Sequence, residues 1–372
     1  MKTAIVYDRV NKWGGAERVL LALHELFPEA PLYTSVYDKD KAPWVKVFPK
    51  VIPSFLQKIP GANSRHEWLA AMMPIAFETL DFTGYDLVIS VTSEAAKGII
   101  TRPPTLHICY CLTPTRYLWS HYDDYFKGRY FKGITRPIVS YLRAWDKVAA
   151  QRPDVMVGIS TTVKERIKKY YGRESELIYP PVDVERFQNS KTLKLKIIKN
   201  LKLKNKNYYL IVSRLVPYKK VDLALDAFAE LGLPLVVVGT GSEEKKYKSK
   251  FKFKNITFRG FVEEDELPGL YRGARAFIHP QEEDFGIGAV EAQAAGVPVI
   301  AYKKGGSLDT VIEGKTGLFF DSQTVESLVS VVRRFDDSNH RSNMRIECVK
   351  NAQRFSKGRF KKDFLDLTRR KV

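Results

Sequence analysis

Short apolar runs alternate with helical segments twice along this chain, and that repeated alternation is what most restricts its fold. Apolar runs of this kind are typical of parallel strands that helices cover on both faces. The sequence therefore predicts an α/β protein with two Rossmann-like halves. The predicted strands are Thr3–Tyr7, Pro31–Tyr37, Asp86–Val91, Leu106–Cys111 and Val155–Ser160 in the first half, then Tyr208–Ser213, Leu235–Gly239, Ile256–Arg259, Arg275–His279, Val297–Tyr302 and Leu318–Asp321 in the second.

The length of the chain and one proline pair predict where it divides. At 372 residues the chain is longer than one ordinary hydrophobic core supports. Pro180 and Pro181 fix the backbone and remove two hydrogen-bond donors, which suits a hinge better than the middle of a strand. We therefore expect one domain over residues 1–181 and a second over 182–354.

The chain is strongly basic. Sixty-one lysines and arginines against forty-two acids give a formal net charge of +19, which favours an anionic partner. The lysine runs at 191–206 and 245–254 are typical of solvated surface. Residues 121–152 differ, because aromatic side chains are interleaved there with lysine and arginine. Two interpretations of that segment stay open: a helix resting on an anionic membrane surface, or a helix whose aromatic face is buried in the first domain.

Several classes of protein are disfavoured by the composition. No apolar stretch approaches the roughly 18 residues that span a bilayer, and charged residues interrupt the first twenty positions, so we expect a cytoplasmic protein. Neither a helix-turn-helix, nor zinc spacing, nor an RNP-type aromatic strand is present, so we expect no nucleic-acid partner. Cys109, Cys111 and Cys348 complete no metal-site spacing and are predicted to be reduced thiols.

Two glutamates stand where a buried strand is followed by a helix. Glu283 and Glu291 bracket Gly286 and Gly288, after the strand that ends at His279 and around the start of a helix predicted over 290–296. In an open parallel sheet, ligands bind outside the carboxyl ends of the strands, where helix amino termini direct free N–H groups at an anion. The segment is therefore predicted to bind a phosphate-bearing ligand.

Two further loops follow predicted strands. Gly14 and Gly15 come after the first strand and lead into a helix, an arrangement that either cradles an anion or forms an ordinary tight turn. Arg214 and Lys219 follow the strand at 208–213, so both cations are expected at the carboxyl edge of the second sheet. The fragment at 239–241 lacks the third glycine of a dinucleotide fingerprint, so no nicotinamide cofactor is expected.

A series of motifs in a fixed order gives the chain a family resemblance. The motifs are Gly14-Gly15-Ala16-Glu17, Tyr179-Pro180-Pro181-Val182-Asp183, Ser213-Arg214 with Lys219-Lys220, the Glu283–Glu291 pair, and Gly296-Val297-Pro298 with Gly305-Gly306. Together they cover nearly the whole chain. The sequence resembles glycosyltransferase family 4, a retaining class with two Rossmann-like domains facing across a cleft (the GT-B architecture), and within it the bacterial O-antigen-type mannosyltransferases.

The resemblance implies that a final helix in 355–372 crosses back to pack on the first domain, and that the second domain holds a nucleotide sugar. Arg214 and Lys219 would clamp its diphosphate, Glu283 would lie near the sugar hydroxyls and the reacting face, and Glu291 would accept hydrogen bonds from the ribose. Because the diphosphate leaves with extra negative charge, Arg214 and Lys219 are predicted catalytic residues. Glu283 is the third, as the resemblance implies. The other predicted donor-binding residues are Gly14, Gly15 and the backbone N–H groups of Phe285, Gly286 and Ile287.

The first domain carries the implied acceptor side and one departure from the family pattern. Glu17 and Arg116 would face the acceptor. Leu112 stands where most relatives have a histidine that contacts the donor sugar, and leucine neither donates nor accepts a hydrogen bond. His121 and His279 are candidate substitutes, although a lone histidine is more often structural than catalytic.

The sequence and the resemblance together predict a retaining hexosyltransferase. It would move mannose, from GDP-mannose, to a growing lipid-linked surface glycan, as a cytoplasmic protein in peripheral contact with an anionic membrane. Asp123 and Asp124 are adjacent acids of a commonplace kind, and cationic side chains take the place of a metal in this class, so we expect no essential metal and no cofactor. The alternative that stays open is a catalytically impaired nucleotide-sugar or glycan-binding protein on the same fold, marked by Leu112.

Overall fold

The computed structural model describes residues 1–62, 66–120, 122–125, 129–189, 207–337 and 341–371. They form two compact units: unit 1 is Met1–Pro181 with Phe360–Val372, and unit 2 is Val182–Arg359. Each unit is built on a parallel sheet, which confirms the predicted α/β class with two Rossmann-like domains. Of the helices within these ranges, none combines the length and the apolar character needed to cross a membrane.

Unit 1 contains, in its described part, a parallel sheet of seven strands. They are β1 (Thr3–Tyr7), β2 (Leu32–Thr34), β3 (Val51–Pro53), β4 (Leu87–Thr92), β5 (Leu106–Cys111), β6 (Val155–Gly158) and β7 (Glu176–Leu177), in the spatial order β3-β2-β1-β4-β5-β6-β7. The strand order changes direction between β1 and β4, so the loops that follow these two strands diverge at the carboxyl edge.

The helices of unit 1 cover the faces of this sheet. They are α1 (Gly15–Leu26), α2 (Met73–Glu78), α3 (Tyr122–Tyr125), α4 (Arg129–Ala149) and α5 (Thr161–Tyr171), with shorter 3₁₀ turns at Pro43–Val47, Phe55–Lys58, His66–Met72 and Ala96–Gly98. Helix α5 shows how the sequence sets such boundaries. The Ser160 hydroxyl accepts the Val163 N–H at 3.1 Å, and Gly172 ends the helix in the left-handed conformation at φ 67°.

Unit 2 repeats the scheme with six strands in its described residues. They are β8 (Tyr208–Val212), β9 (Leu235–Val238), β10 (Ile256–Gly260), β11 (Ala274–His279), β12 (Val299–Tyr302) and β13 (Gly317–Phe320), in the order β10-β9-β8-β11-β12-β13. The direction changes between β8 and β11, which pair in parallel. The helices are α6 (Val184–Asn189), α7 (Val221–Leu231), α8 (Glu244–Lys250), α9 (Leu267–Gly273), α10 (Ile287–Ala294), α11 (Ser307–Thr310), α12 (Val325–Asp337) and α13 (Arg341–Ala352), with 3₁₀ turns at Pro217–Lys219 and Gln353–Phe355.

The last helix, α14 (Lys357–Lys371), begins in the residue range of unit 2 and ends in that of unit 1. Phe360, Phe364 and Leu367 are buried. The Phe360 and Phe364 rings lie 5.7 and 6.5 Å from the ring of Tyr110 on β5, and the Lys361 ammonium contacts the Glu25 carboxylate on α1. The core of unit 1 is therefore completed by residues from the far end of the sequence.

The structure corrects the predicted elements at particular points. The helix predicted from residue 290 begins at Ile287, so Gly288 lies inside the helix instead of in the turn before it. The strand predicted over 31–37 covers only Leu32–Thr34. Strands β3 and β7 were not predicted, because they are three and two residues long and only partly buried. The three cysteines are buried and free of disulfide bonds.

Candidate functional site

The loops after β8 and β11 meet at the point where the strand order of unit 2 changes direction. Lys219, at the end of the 3₁₀ turn after β8, places its ammonium against Oε1 of Glu283, which follows β11. The two side chains are only 15% and 20% exposed. Two of the three predicted catalytic residues are thus in direct contact at the edge where parallel sheets bind ligands.

A second partner approaches Glu283 from its own loop. The Gln281 amide nitrogen lies 2.9 Å from Oε1 of Glu283 and 3.2 Å from Nδ1 of His279. The chain bends at Gln281, just past the end of β11, and the side chains of His279, Gln281 and Glu283 meet there. Gln281 was missed by the sequence analysis, although polar residues at every second position past a strand end are the signal that would have found it.

The charges around Glu283 keep it ionised. Burial would raise the pKa of this carboxyl, but the Lys219 ammonium, His279 and the hydrogen bonds from Lys219 and Gln281 outweigh burial and lower it to about 2. For His279, burial is the main cause of a lowered pKa; Lys219 lowers it further and Glu283 opposes the shift. The cluster therefore holds an anionic glutamate beside a neutral imidazole near pH 7.

Arg214 joins Lys219 through the aromatic ring between them. The Arg214 guanidinium donates to the Tyr218 hydroxyl and lies 5.9 Å from the centre of the Tyr218 ring, while the Lys219 ammonium lies 5.3 Å from the same centre. Arg214 is exposed. The loop after β8 therefore presents two cations on one aromatic platform, an arrangement that suits a phosphate group.

Helix α10 begins directly after this cluster. Gly286 adopts the left-handed conformation at φ 91° and immediately precedes the helix, whose first turn starts at Ile287. Phe285 is buried, with its ring 5.5 Å from that of Phe355. Gly288, inside the helix, would place a Cβ 3.1 Å from the Phe277 ring, so its small size serves packing against β11. The start of the helix is the part that offers backbone N–H groups to an anion.

Close backbone packing explains several glycines that the sequence singled out. A Cβ on Gly305 would lie 2.3 Å from the Glu283 carbonyl oxygen, and a Cβ on Gly306 would lie 2.3 Å from Cα of Phe285. The Gly306 N–H donates to the Glu283 carbonyl at 2.7 Å. A Cβ on Gly239 would lie 1.9 Å from the carbonyl oxygen of Ser213, and one on Gly241 would lie 2.2 Å from that of Leu215. These glycines let neighbouring loops support the segment that carries the site.

Glu291 lies one turn into α10 and is buried. Its Oε2 accepts a hydrogen bond from the Tyr271 hydroxyl at 3.0 Å. Tyr271 on α9 was missed by the sequence analysis, because nothing in the spacing of the chain connects it to residue 291. The structure therefore places Glu291 in the same unit and helix as the Gly286 turn, with a tyrosine hydroxyl fixing one carboxylate oxygen.

In unit 1, the side chain of Glu17, in the first turn of α1, packs against the predicted glycine loop. Gly14 precedes α1 in an extended conformation at φ −178°, and Gly15 is the first helical residue. Glu17 is 1% exposed, accepts the Tyr7 hydroxyl at 2.9 Å and lies against Gly14. Burial raises the pKa of Glu17, although hydrogen bonds from backbone groups at Glu17 and Gly14 and from Tyr7 favour its carboxylate form.

A buried aspartate fills the point where the strand order of unit 1 changes direction. Asp8 follows β1, and its carboxylate accepts the backbone N–H groups of the four residues 93–96, after β4, at 2.7 to 3.1 Å. Arg9 pairs with Glu94 beside it. The sequence analysis missed Asp8, because its partners lie more than eighty residues away. Unit 1 thus satisfies with its own carboxylate the N–H groups that could otherwise bind an external anion.

The segment after β5 rests on a buried ion pair. Lys97 and Asp146 are each 1% exposed and lie 2.5 Å apart. Asp146 also accepts the Thr115 hydroxyl at 3.0 Å, the Trp119 indole N–H at 2.7 Å and the Tyr171 hydroxyl at 2.8 Å. Arg116, which is partly buried, lies in this segment between Thr115 and Trp119. Leu112, directly after β5, donates its backbone N–H to the Thr92 carbonyl at 2.8 Å.

The charged segments can be assigned in part. The described lysines of the 245–254 run include Lys246 and Lys248, which are solvated and pair with Glu243 and Glu244. The 191–206 run, His121 and the side chain of Asp124 lie outside the described residues.

On α4, Val139 and Leu142 are buried, while the residues that face solvent include Ile138 and Tyr141. Within the described ranges, no group of three histidine, cysteine or acidic residues is arranged to hold a metal ion.

The candidate site of unit 2 lies in a part of the chain that has known counterparts. Residues 194–355 match the family model of glycosyl transferases group 1. The group 1 match contains Arg214, Lys219, Glu283 and Glu291. It does not extend to the Gly14–Glu17 loop or to Leu112.

A relative and two solved structures extend the comparison. A GDP-mannose-dependent alpha-(1-6)-phosphatidylinositol monomannoside mannosyltransferase of Mycobacterium tuberculosis is 32% identical over 198 residues, which are 48% of this chain and 51% of that protein. The chain thus spans about half the length of the curated relatives it matches. Anabaena Alr3699/HepE in complex with UDP has a TM-score of 0.75 at 19% identity and 99% coverage of both chains. Sucrose-phosphate synthase from Thermosynechococcus elongatus has a TM-score of 0.79 at 17% identity, over 100% of this chain and 99% of that one. These two likenesses establish the fold alone, an α/β fold with two Rossmann-like units.

Proposed function

We propose that this protein is a retaining hexosyltransferase that moves mannose from GDP-mannose to a growing, lipid-linked surface glycan. The observation that carries the proposal is the contact between Lys219 and Glu283 where the strand order of unit 2 changes direction. A nucleotide sugar needs both charges, since a cation must stabilise the departing diphosphate and a carboxylate can accept hydrogen bonds from sugar hydroxyls. The group 1 match covers the segment that carries both residues.

The nucleotide is assigned to unit 2 because unit 1 satisfies its corresponding N–H groups internally. In unit 1, the Asp8 carboxylate already accepts the N–H groups of residues 93–96. In unit 2, Gly286 begins a helix beside two cations. We therefore assign diphosphate binding to Arg214, Lys219 and the N–H groups of residues 285–287, and ribose binding to Glu291. Gly14 and Gly15 are assigned to the sugar end of the donor.

The choice of GDP-mannose follows the similarity to the mycobacterial mannosyltransferase, whose name specifies that donor. Arg116 suits a lipid-diphosphate-linked acceptor, because guanidinium pairs well with phosphate, and Glu17 is assigned to the same side. The basic and aromatic surface of α4 would hold the protein at the inner face of the cell membrane, where such acceptors lie.

We assign no metal to the reaction, since Arg214 and Lys219 supply the positive charge. Turnover in EDTA should therefore equal turnover in magnesium.

Binding of nucleotides is the direct test. A thermal-shift panel would compare GDP, UDP and ADP with their sugar conjugates, because a ligand that binds only the folded state raises the melting temperature by mass action. GDP and GDP-mannose should give selective shifts. Selective shifts with another nucleotide would change the assigned donor from GDP-mannose to a sugar conjugate of that nucleotide. The absence of any shift would contradict the transferase proposal.

Leu112 supports one alternative, a nucleotide-sugar or glycan-binding protein with impaired catalysis. A leucine at the end of β5 offers no hydrogen bond to a sugar. The variant Leu112→His separates the two functions. If the site is weakened relative to its relatives, the variant should release nucleotide from GDP-mannose faster than the wild type, whereas an unchanged rate would show that this position takes no part in the chemistry.

A further inference from the structure

His279, Gln281 and Glu283 form a chain of hydrogen bonds in which each link fixes the next. The Gln281 amide lies 2.9 Å from the Glu283 carboxylate, and an ionised carboxylate only accepts, so the amide nitrogen must face it. The same nitrogen lies 3.2 Å from Nδ1 of His279. Because that nitrogen can only donate, Nδ1 must accept. His279 is therefore the neutral tautomer that carries its proton on Nε2.

The opposite side of this chain has polar atoms without partners. Nε2 of His279 and Oε1 of Gln281 are buried without a hydrogen-bond partner among the described residues. Lys219 and Gln281 both contact Oε1 of Glu283, which leaves the second oxygen, Oε2, for other contacts. Buried polar groups are almost always satisfied, so an unpartnered donor next to an anionic carboxylate marks a place for a ligand or a water.

The unpartnered atoms surround the Gly286 turn. A Cβ at position 286 would lie 3.2 Å from Nε2 of His279 and 4.0 Å from Oε2 of Glu283. The missing side chain at Gly286 leaves the space between the two atoms open, at the start of α10. A hydroxyl group suits these neighbours, because it can accept a hydrogen bond from an N–H and donate one to a carboxylate.

We propose that His279 is a positioning residue for Glu283, which acts through Gln281 to hold the Oε2 atom of Glu283 towards a hydroxyl of the donor sugar. The inference rests on the proposed function and deepens it. Without the imidazole acceptor, the Gln281 amide loses one of its two partners and can turn away from Glu283. The carboxylate would then keep Lys219 but lose its fixed direction towards the sugar, while the phosphate-binding groups stay in place.

The test measures the affinities for GDP-mannose and for GDP by calorimetry, with UDP-glucose and UDP in parallel. His279→Phe keeps an aromatic ring and removes the acceptor, and Gln281→Leu removes the amide. Each should weaken GDP-mannose binding about tenfold and leave GDP binding unchanged. His279→Asn restores an acceptor near Nδ1 and should recover most of the loss. His24→Phe, at a histidine that packs on Phe48 in unit 1, is the matched control and should change neither affinity.

The double variant His279→Phe/Gln281→Leu should bind GDP-mannose no more weakly than either single variant, because the two side chains act as one chain. Equal losses for GDP and GDP-mannose, failure of His279→Asn to recover binding, or additive losses in the double variant would each overturn the role of His279. A wild type that binds neither nucleotide sugar would overturn the proposed function itself, and the role of His279 with it.

Discussion

Lys219 is the side chain on which the electrostatics of the site depend. Its ammonium contacts Glu283 and lies over the Tyr218 ring. The Arg214 guanidinium lies over the same ring. Burial of Glu283 alone would favour the neutral acid, and the nearby positive charge is what reverses that preference. A single cation therefore serves two tasks: it prepares a phosphate site and keeps the neighbouring carboxylate charged.

Lys219→Met should lose both tasks. The variant should lower turnover of GDP-mannose by a hundredfold or more, about 3 kcal/mol of transition-state stabilisation, and should raise the pKa of Glu283, because the main charge that favours the carboxylate is gone. Steady-state kinetics and the affinity for GDP measure the effect. Lys303→Met, at a solvated lysine that pairs with Asp321 in the same unit, is the control. Normal GDP affinity in Lys219→Met would contradict the phosphate-clamp role.

At the scale of elements, the buried pair of Lys97 and Asp146 joins parts of unit 1 that are distant in the sequence. Lys97 lies in the turn after β4, Asp146 lies on α4, and the partners of Asp146 come from the segment after β5 and from α5. Burial would lower the pKa of Lys97, but the Asp146 carboxylate outweighs burial and raises it. Lys97 therefore stays charged inside the protein, and both carboxylate oxygens of Asp146 have hydrogen-bond or ion-pair partners.

Asp146→Ala should lower the free energy of unfolding of unit 1 by about 3–5 kcal/mol, because it leaves the Lys97 ammonium buried without its counter-charge. Replacing both residues, as in Lys97→Met/Asp146→Leu, should recover much of that loss. Urea unfolding followed by tryptophan emission measures unit 1 alone, because all five tryptophans precede residue 181. Glu174→Ala, which breaks an exposed pair with Lys168 in the same unit, is the control. An additive loss in the double variant would contradict the coupling.

Helix α4 allows a prediction about membranes. Ile138, Tyr141 and Val148 are 50%, 49% and 60% exposed on one side of the helix, and Arg136 and Lys147 are exposed on the same helix. If this surface meets anionic lipid, Ile138→Ser should reduce co-sedimentation with vesicles that contain phosphatidylglycerol several-fold, since it removes a side chain that would enter the interface. Ile346→Ser, at an exposed isoleucine of unit 2, should have no effect. Equal binding to neutral phosphatidylcholine vesicles would argue against the charge-based contact.

At the scale of the whole molecule, buried histidines make stability depend on pH. Burial, with smaller effects of Arg173 and Arg152, lowers the pKa of His107 to about 3. The unfolded chain takes up a proton below a pKa of about 6.5, whereas folded His107 stays neutral until far lower pH. The stabilisation is therefore complete above pH 6.5 and is lost as the pH falls towards 3. Between pH 7.5 and 5 the loss from His107 should be about 2 kcal/mol.

Urea unfolding of unit 1 at pH 7.5 and pH 5, again by tryptophan emission, measures this dependence. His107→Leu should reduce the difference between the two pH values by the contribution of His107. Ser90→Ala removes the hydroxyl 2.8 Å from Nε2 but leaves the histidine buried, so the difference should persist in that variant. An unchanged pH difference in His107→Leu would show that His107 is not the group responsible.

The sequence predicted the central strands well and the site only in part, for physical reasons. A fully buried parallel strand such as β9 gives an uninterrupted apolar run, whereas the edge strands β3 and β7 are too short to give one. Helix α10 starts earlier than its apolar pattern because Gly286 takes a left-handed conformation that composition does not reveal. Asp8 acts through the geometry of the folded chain, and no spacing signature marks it. Gln281 is marked only by the polar residues at every second position after β11.

The position of α14 has a consequence for the order in which the protein is made. Phe360, Phe364 and Leu367 belong to unit 1, yet they leave the ribosome after residues 182–359. All residues of unit 2 are therefore made before the last residues of unit 1. Until the last residues emerge, the Tyr110 ring lacks its two phenylalanine neighbours. The unit whose first residues are made earliest is thus completed only after every residue of unit 2 has been made.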